Sequence, residues 1–219
     1  ALKEIFKVDG MLIIILHILY FIFFPPILIR REMLTNFLRI KILIKNLIVE
    51  HLDIVILKFK EMGVNFEIKR REKGCVAMDN LLIKPAGVYK ASRIQTMPYP
   101  GIPTDLQSPL AVLCTQADGT SLIHDTLYEG RLKYIDELNK MGANAIICDP
   151  HRAIITGPTT FYGTKITSYD LRAGASLIIA ALIAKGESTI SDAYQVDRGY
   201  EKIEERLQKI GADIRREKN

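Results

Sequence analysis

The stretch SYDLRAGASLIIAALIAKGE, Ser168 to Glu187, sets a carboxylate and a guanidinium two residues apart at the start of a nearly uninterrupted apolar segment. Asp170 suits a helix cap, because a short acidic side chain accepts from the first free backbone N–H groups. Arg172 is not needed for that. Its guanidinium adds a fixed cation where a helix N-terminus already offers free N–H groups and partial positive charge, and the combination suits an anion. A second stretch, TDLQSPLAVLC from Thr104 to Cys114, repeats the design with Asp105 in the place of Asp170 and Gln107 in the place of Arg172. Each stretch runs on to a glycine and then to an arginine 12 residues later: Gly119 to Arg131, and Gly186 to Arg198. For any one of these residues, a cap or a solvated charge is an adequate reading. Two aspartates and three arginines on repeated positions point instead to an anion-binding mouth.

The elements that must position these side chains also repeat. HLDIVILKFKEMGVNFEI (His51 to Ile68), RLKYIDELNKMGANAII (Arg131 to Ile147) and YEKIEERLQKIGADIRR (Tyr200 to Arg216) each read as an amphipathic helix closed by glycine and followed by a short strand. The closing glycines Gly63, Gly142 and Gly211 lie 79 and 69 residues apart, too far for a solenoid repeat. Three copies of a larger unit are expected, each helix, strand, helix, strand, with further β structure such as HRAIITGP (His151 to Pro158) between them. The first copy shows only its second half. If the units pack around a pseudo-threefold axis with the apolar helices inside, Asp105, Asp170 and Arg172 share one end of the domain, within reach of Arg131 and Arg198.

Composition narrows the partners. With 219 residues, 48% of them hydrophobic and 25% charged, the chain can bury a sizeable core. A net charge of +5 is compatible with a small anionic ligand; no dense Lys/Arg tract interleaved with aromatics points to nucleic acid. Cys75, Cys114 and Cys148 are odd in number and lack CxxC spacing, which fits a reducing, cytoplasmic compartment and neither a disulfide framework nor a metal site. Residues 1–43 differ from the rest. No Ala occurs between Ala1 and Ala77, no Gly between Gly10 and Gly63, and MLIIILHILYFIFFPPILI (Met11 to Ile29) has His17 as its one strongly polar member. Its length and the following Arg30 and Arg31 qualify it as a membrane anchor, while the Pro25-Pro26 pair and the internal His argue against one. Out-of-frame translation of an A/T-rich stretch and an unusual core segment remain open readings. A secretory signal is not expected, because no small-residue cleavage site follows.

The motifs PYPGIPTDLQSPL (Pro98 to Leu110), DLRAGASL (Asp170 to Leu177) and DRGYEKIEERLQKIGADIRR (Asp197 to Arg216) resemble the enolpyruvyl transferases. They are closer to the branch that acts on UDP-N-acetylglucosamine than to the shikimate branch, and the likeness covers roughly residues 44–217. The resemblance implies an inside-out α/β barrel built from repeated βαβαββ units, with this chain one of the family's two domains and the active site in the cleft between them. It implies a reaction without cofactor or metal: the 3-hydroxyl of UDP-N-acetylglucosamine adds to carbon 2 of phosphoenolpyruvate, and phosphate then leaves. Asp105 matches the family's candidate base, and a carboxylate can both orient a hydroxyl and accept its proton. Leu127 matches a position whose backbone meets the sugar nucleotide, and Arg131 and Asp170 belong to the substrate-binding set. Arg172 and Arg198 would hold the carboxylate and phosphate of phosphoenolpyruvate.

The chain also departs from the family pattern. The family's other domain supplies a loop cysteine as general acid, an early Lys-Asn pair and further arginines, and none of the three cysteines here matches that position. Residues 44–219 are therefore expected to be one domain of a two-domain transferase, with residues 1–43 as an atypical segment packing poorly in place of the first unit's inner helix. Two functions from different classes follow: a transferase that needs its complementary domain, or a non-catalytic sugar-nucleotide-binding remnant.

Overall fold

The computed structural model describes residues 42–70, 79–84, 87–209 and 212–217. The apolar run at 11–29, Cys75 and Gly211 lie outside them. The first unit comprises β1 (Ile42–Leu47), α1 (Asp53–Glu61), β2 (Phe66–Lys69) and β3 (Asp79–Ile83), the strands forming an antiparallel sheet in the order β1-β3-β2. Two short strands, β4 (Tyr89–Lys90) and β5 (Arg93–Thr96), lead to α2 (Gln107–Thr115). In the second unit, β6 (Ala117–Asp125), α3 (Tyr134–Lys140), β7 (Asn144–Asp149) and β8 (Arg152–Gly157) repeat the pattern, with the antiparallel order β6-β8-β7. β4 and β5 join this sheet parallel to β6. The first unit thus holds more than the second half expected of it, since β1 is the counterpart of β6.

The helix closures repeat as well. Gly63 and Gly142 have φ of +76° and +105°, where a side chain would crowd the backbone. In both, the next residue returns its N–H to a carbonyl five residues back, Val64 to Phe59 at 2.8 Å and Ala143 to Leu138 at 2.9 Å, and the glycine turn frees the chain for the following strand. Ala212 does the same to Leu207 at 3.1 Å.

The third unit contains α4 (Leu171–Ile183), β10 (Thr189–Ser191), α5 (Tyr194–Asp197) and α6 (Ile203–Gln208), preceded by β9 (Lys165–Thr167). β9 and β10 form a two-stranded parallel sheet. The closing strand expected after α6 is not formed: residues 212–217 have no ladder partner among the described residues. A strand without a neighbour leaves its backbone groups unpaired. Here side-chain ion pairs hold the segment instead, from Arg216 to Asp197 and Glu204.

α2 and α4 form the interior. All nine residues of α2 and the stretch Ala173 to Ala180 of α4 are buried. Leu110, Leu113 and Leu177 are almost wholly enclosed, each worth about 1.5–3 kcal/mol of apolar burial. That exceeds the penalty of enclosing Ser108 and Ser176, whose hydroxyls satisfy one another across the seam at 2.9 Å. Gly174 permits the close approach at the head of α4, because a Cβ there would lie 2.1 Å from Ser168 Oγ and 2.6 Å from Val196 Cγ2. The sheets lie outside, with Ile146 65% exposed on an outer face. Helices inside and sheets outside match the expected inside-out arrangement, although among the described residues the three sheets stay separate rather than closing a barrel. No described helix is long and apolar enough to cross a membrane.

Candidate active site

The two Asp-Leu segments begin at the same end of the α2–α4 pair, as their repeated spacing requires. Their aspartates do different work. Asp170 is the N-cap of α4, in extended backbone, and its Oδ1 accepts from the N–H groups of Arg172 at 2.8 Å and Ala173 at 3.0 Å. Those amides are therefore not available to an external anion, contrary to the sequence-based expectation, and the Arg172 guanidinium is the cationic element of the mouth. Asp105 caps nothing. It lies in a 3₁₀ turn, Thr104–Leu106, that follows Pro103 and precedes α2. Its carboxylate accepts from Arg172 Nε across the helix seam. Both side chains stay about one-third open to solvent, at 35% for Asp105 and 34% for Arg172. A carboxylate and a guanidinium held side by side at an open mouth can orient a hydroxyl, take its proton and hold an adjacent anion.

Arg131, in the turn before α3, joins this group through the residue next to Asp105: its Nη1 donates to Thr104 Oγ1 at 3.1 Å, and its guanidinium stacks 3.8 Å from the ring centre of Tyr128. Leu127 is 40% exposed on the loop after β6, and its N–H donates to Asp125 Oδ1 at 3.0 Å. Arg198 is not drawn into the cluster. It follows α5, is exposed, and its guanidinium makes no hydrogen bond or ion pair with the described residues. Gln107, standing where Arg172 stands in the other repeat, is buried and donates to Asp125 Oδ2 at 3.3 Å. A neutral amide fits there because its partner is an interior carboxylate rather than a ligand.

Two residues of this end were missed from the sequence. Tyr200, two residues after Arg198, is buried close enough to the ion pair to feel it: burial pushes its phenol well up, the negative charge of Asp105 adds to the rise and Arg172 opposes it. Asp125 anchors the loop that carries Leu127. The alternation of Ser121, Ile123 and Asp125, all buried, with half-buried Leu122 and His124 along β6 was the signal available for it. Among the described residues no group of three or more His, Cys, Asp or Glu side chains is arranged to hold a metal ion.

Residues 36–207 match the family profile of EPSP synthase (3-phosphoshikimate 1-carboxyvinyltransferase). The chain belongs to the EPSP synthase family. Within it, the UDP-N-acetylglucosamine 1-carboxyvinyltransferase of Halothermothrix orenii is 46% identical over 177 residues, which is 81% of this chain and 40% of the relative. UDP-N-acetylglucosamine 1-carboxyvinyltransferase 2 of Bacillus subtilis is 42% identical over 179 residues, with the same two shares. The chain thus spans about 40% of the length of the curated relatives it matches. Among solved structures, the enolpyruvyl transferase NikO from Streptomyces tendae superposes with a TM-score of 0.77 at 24% identity, covering 95% of this chain and 44% of that one. An EPSP synthase from Acinetobacter baumannii gives 0.60 at 21%, covering 82% and 43%. These two likenesses concern the fold.

Proposed function

We propose that this chain is the acceptor-side part of a UDP-N-acetylglucosamine 1-carboxyvinyltransferase, serving peptidoglycan synthesis in the cytoplasm. In this reading Asp105 orients the sugar 3-hydroxyl and takes its proton as the oxygen adds to carbon 2 of phosphoenolpyruvate. Arg172 and Arg198 hold the carboxylate and phosphate, and Leu127 and Arg131 border the sugar nucleotide. The observation that carries the reading is the Asp105–Arg172 pair: an aspartate with no capping duty, set beside a guanidinium at an open mouth. The names of relatives above 40% identity favour the UDP-N-acetylglucosamine branch over the shikimate one. Proton delivery to carbon 3 and the rest of the phosphate cradle have no counterpart among these residues, so turnover is assigned to this chain together with the remaining length that its relatives have. The simpler alternative, a sugar-nucleotide-binding remnant, shares the binding step and lacks the chemistry.

The binding step is tested by titrating UDP-N-acetylglucosamine into the isotope-labelled chain. Amide resonances of Asp105, Leu127 and Arg131 should shift in one saturable process while exposed Asp118, on β6, does not. Shifts confined to other surfaces, or none at millimolar ligand, would overturn the assignment.

A further inference from the structure

Asp125 ends β6 with its side chain fully buried. A carboxylate in that position must be met by donors or be strongly destabilising. Five meet it. Oδ1 accepts from Thr96 Oγ1 at 2.9 Å and from the N–H groups of Leu127 at 3.0 Å and Tyr128 at 3.2 Å, while Oδ2 accepts from Thr104 Oγ1 at 2.9 Å and Gln107 Nε2 at 3.3 Å. These donors come from the end of β5, the turn before α2, the first residue of α2 and the loop after β6. The Thr104 hydroxyl, while donating to Asp125, accepts from Arg131 Nη1. The backbone of Asp125 is itself pinned: its carbonyl accepts from His151 Nδ1 at 2.7 Å, and its N–H donates to the His151 carbonyl at 2.8 Å.

A carboxylate serving packing alone could draw its donors from anywhere in the core. Most of these lie on or beside a residue proposed to meet substrate: Thr104 precedes Asp105, Leu127 is itself such a residue and Tyr128 follows it; Arg131 is tied in through Thr104. We infer that Asp125 is a positioning residue for the sugar-nucleotide subsite, setting the Leu127–Tyr128 loop and, through Thr104, the place of Arg131 relative to Asp105. The inference rests on the reading of the site given above. Asn in its place would keep one acceptor oxygen, put an N–H₂ group in the place of the other, and remove the negative charge that all five donors meet.

The test uses the full 219-residue chain, with UDP-N-acetylglucosamine as the probe and three variants: Asp125→Asn, Thr104→Val and Thr104→Ser. Asp125→Asn should speed amide exchange at Leu127 and Tyr128 by about tenfold or more and weaken binding by a similar factor, the equivalent of one lost charge-assisted hydrogen bond. Exchange in the β6–β8 ladder should not change. Thr104→Val should weaken binding and also lower the urea midpoint, since the buried carboxylate loses one of its donors, and Thr104→Ser, which keeps the hydroxyl, should restore both. If Asp125→Asn does not fold, the Thr104 pair decides the matter alone. Unchanged loop exchange and affinity in Asp125→Asn, or wild-type affinity in Thr104→Val, would overturn the inference. Failure of the wild-type chain to bind the probe would overturn the proposed function instead, and the exchange measurements would still decide whether Asp125 sets the loop.

Discussion

Removing the Asp170 carboxylate separates a structural duty from a ligand duty at the mouth of α4. Its Oδ1 accepts from two backbone N–H groups that otherwise have no partner within the helix. Truncating such a cap to alanine costs about 1 kcal/mol, and losing its charge at the helix N-terminus adds about 0.5 kcal/mol. Asp170→Ala should therefore destabilise the chain by about 1.5 kcal/mol, whereas Asp170→Asn keeps a capping oxygen and should lose only the charge contribution of about 0.5 kcal/mol. For a domain of this size the alanine variant should melt about 3–6 °C lower. Urea titration and thermal melts of the three proteins in parallel give both quantities. The cap reasoning fails if Asp170→Ala stays within error of wild type, or if Asn is as damaging as Ala. The functional corollary follows from the backbone: the capped N–H belongs to Arg172, so loosening the cap should also weaken phosphoenolpyruvate binding.

Tyr134 is buried and its hydroxyl has no partner among the described residues, so Tyr134→Phe should raise stability by about 1 kcal/mol; a lowered urea midpoint would reveal a partner for that hydroxyl. Glu137 is enclosed in α3, and its carboxylate accepts from Lys140 Nζ at 2.8 and 3.0 Å, the Tyr169 hydroxyl at 2.8 Å and the Thr167 N–H at 3.1 Å. Burial pushes its pKa up, but the donors outweigh burial and hold it below the usual carboxylate value. A folded-state pKa below the unfolded one, about 4.3, gives stability that is complete above that value and lost as pH falls through the folded one. Urea midpoints should accordingly drop less between pH 5 and pH 3 for Glu137→Gln than for wild type, and parallel curves would refute this.

The repeat was legible because helix closure and inward alternation are local: a glycine after an amphipathic helix, as at Gly63 and Gly142, shows in the sequence and again in the backbone. That Asp105 and Arg172 share one end of the helix pair followed from equal spacing; that they pair shows only in the fold. What spacing could not reveal is which aspartate caps. Asp105 and Asp170 sit in the same motif, but Pro103 starts a 3₁₀ turn ahead of α2 while Asp170 is extended before α4. The difference depends on backbone angles rather than on residue type. Asp125 was overlooked for a related reason: its five donors are scattered from Thr96 to Tyr128, and only the folded sheet brings them to one carboxylate. The missing strand after α6 shows the converse limit, since a β-like sequence pattern needs an edge to pair with.

Phosphate release from phosphoenolpyruvate and UDP-N-acetylglucosamine tests the account most directly, measured for the chain alone and for the chain mixed with a separately expressed polypeptide supplying the remainder of a close relative. The chain alone should release none. The mixture should turn over, Asp105→Ala should reduce that turnover by about 10²- to 10⁴-fold as expected for loss of a positioned base, and Asp118→Ala should leave it intact. Robust turnover by the isolated chain, or a mixture indifferent to Asp105→Ala, would contradict the assignment.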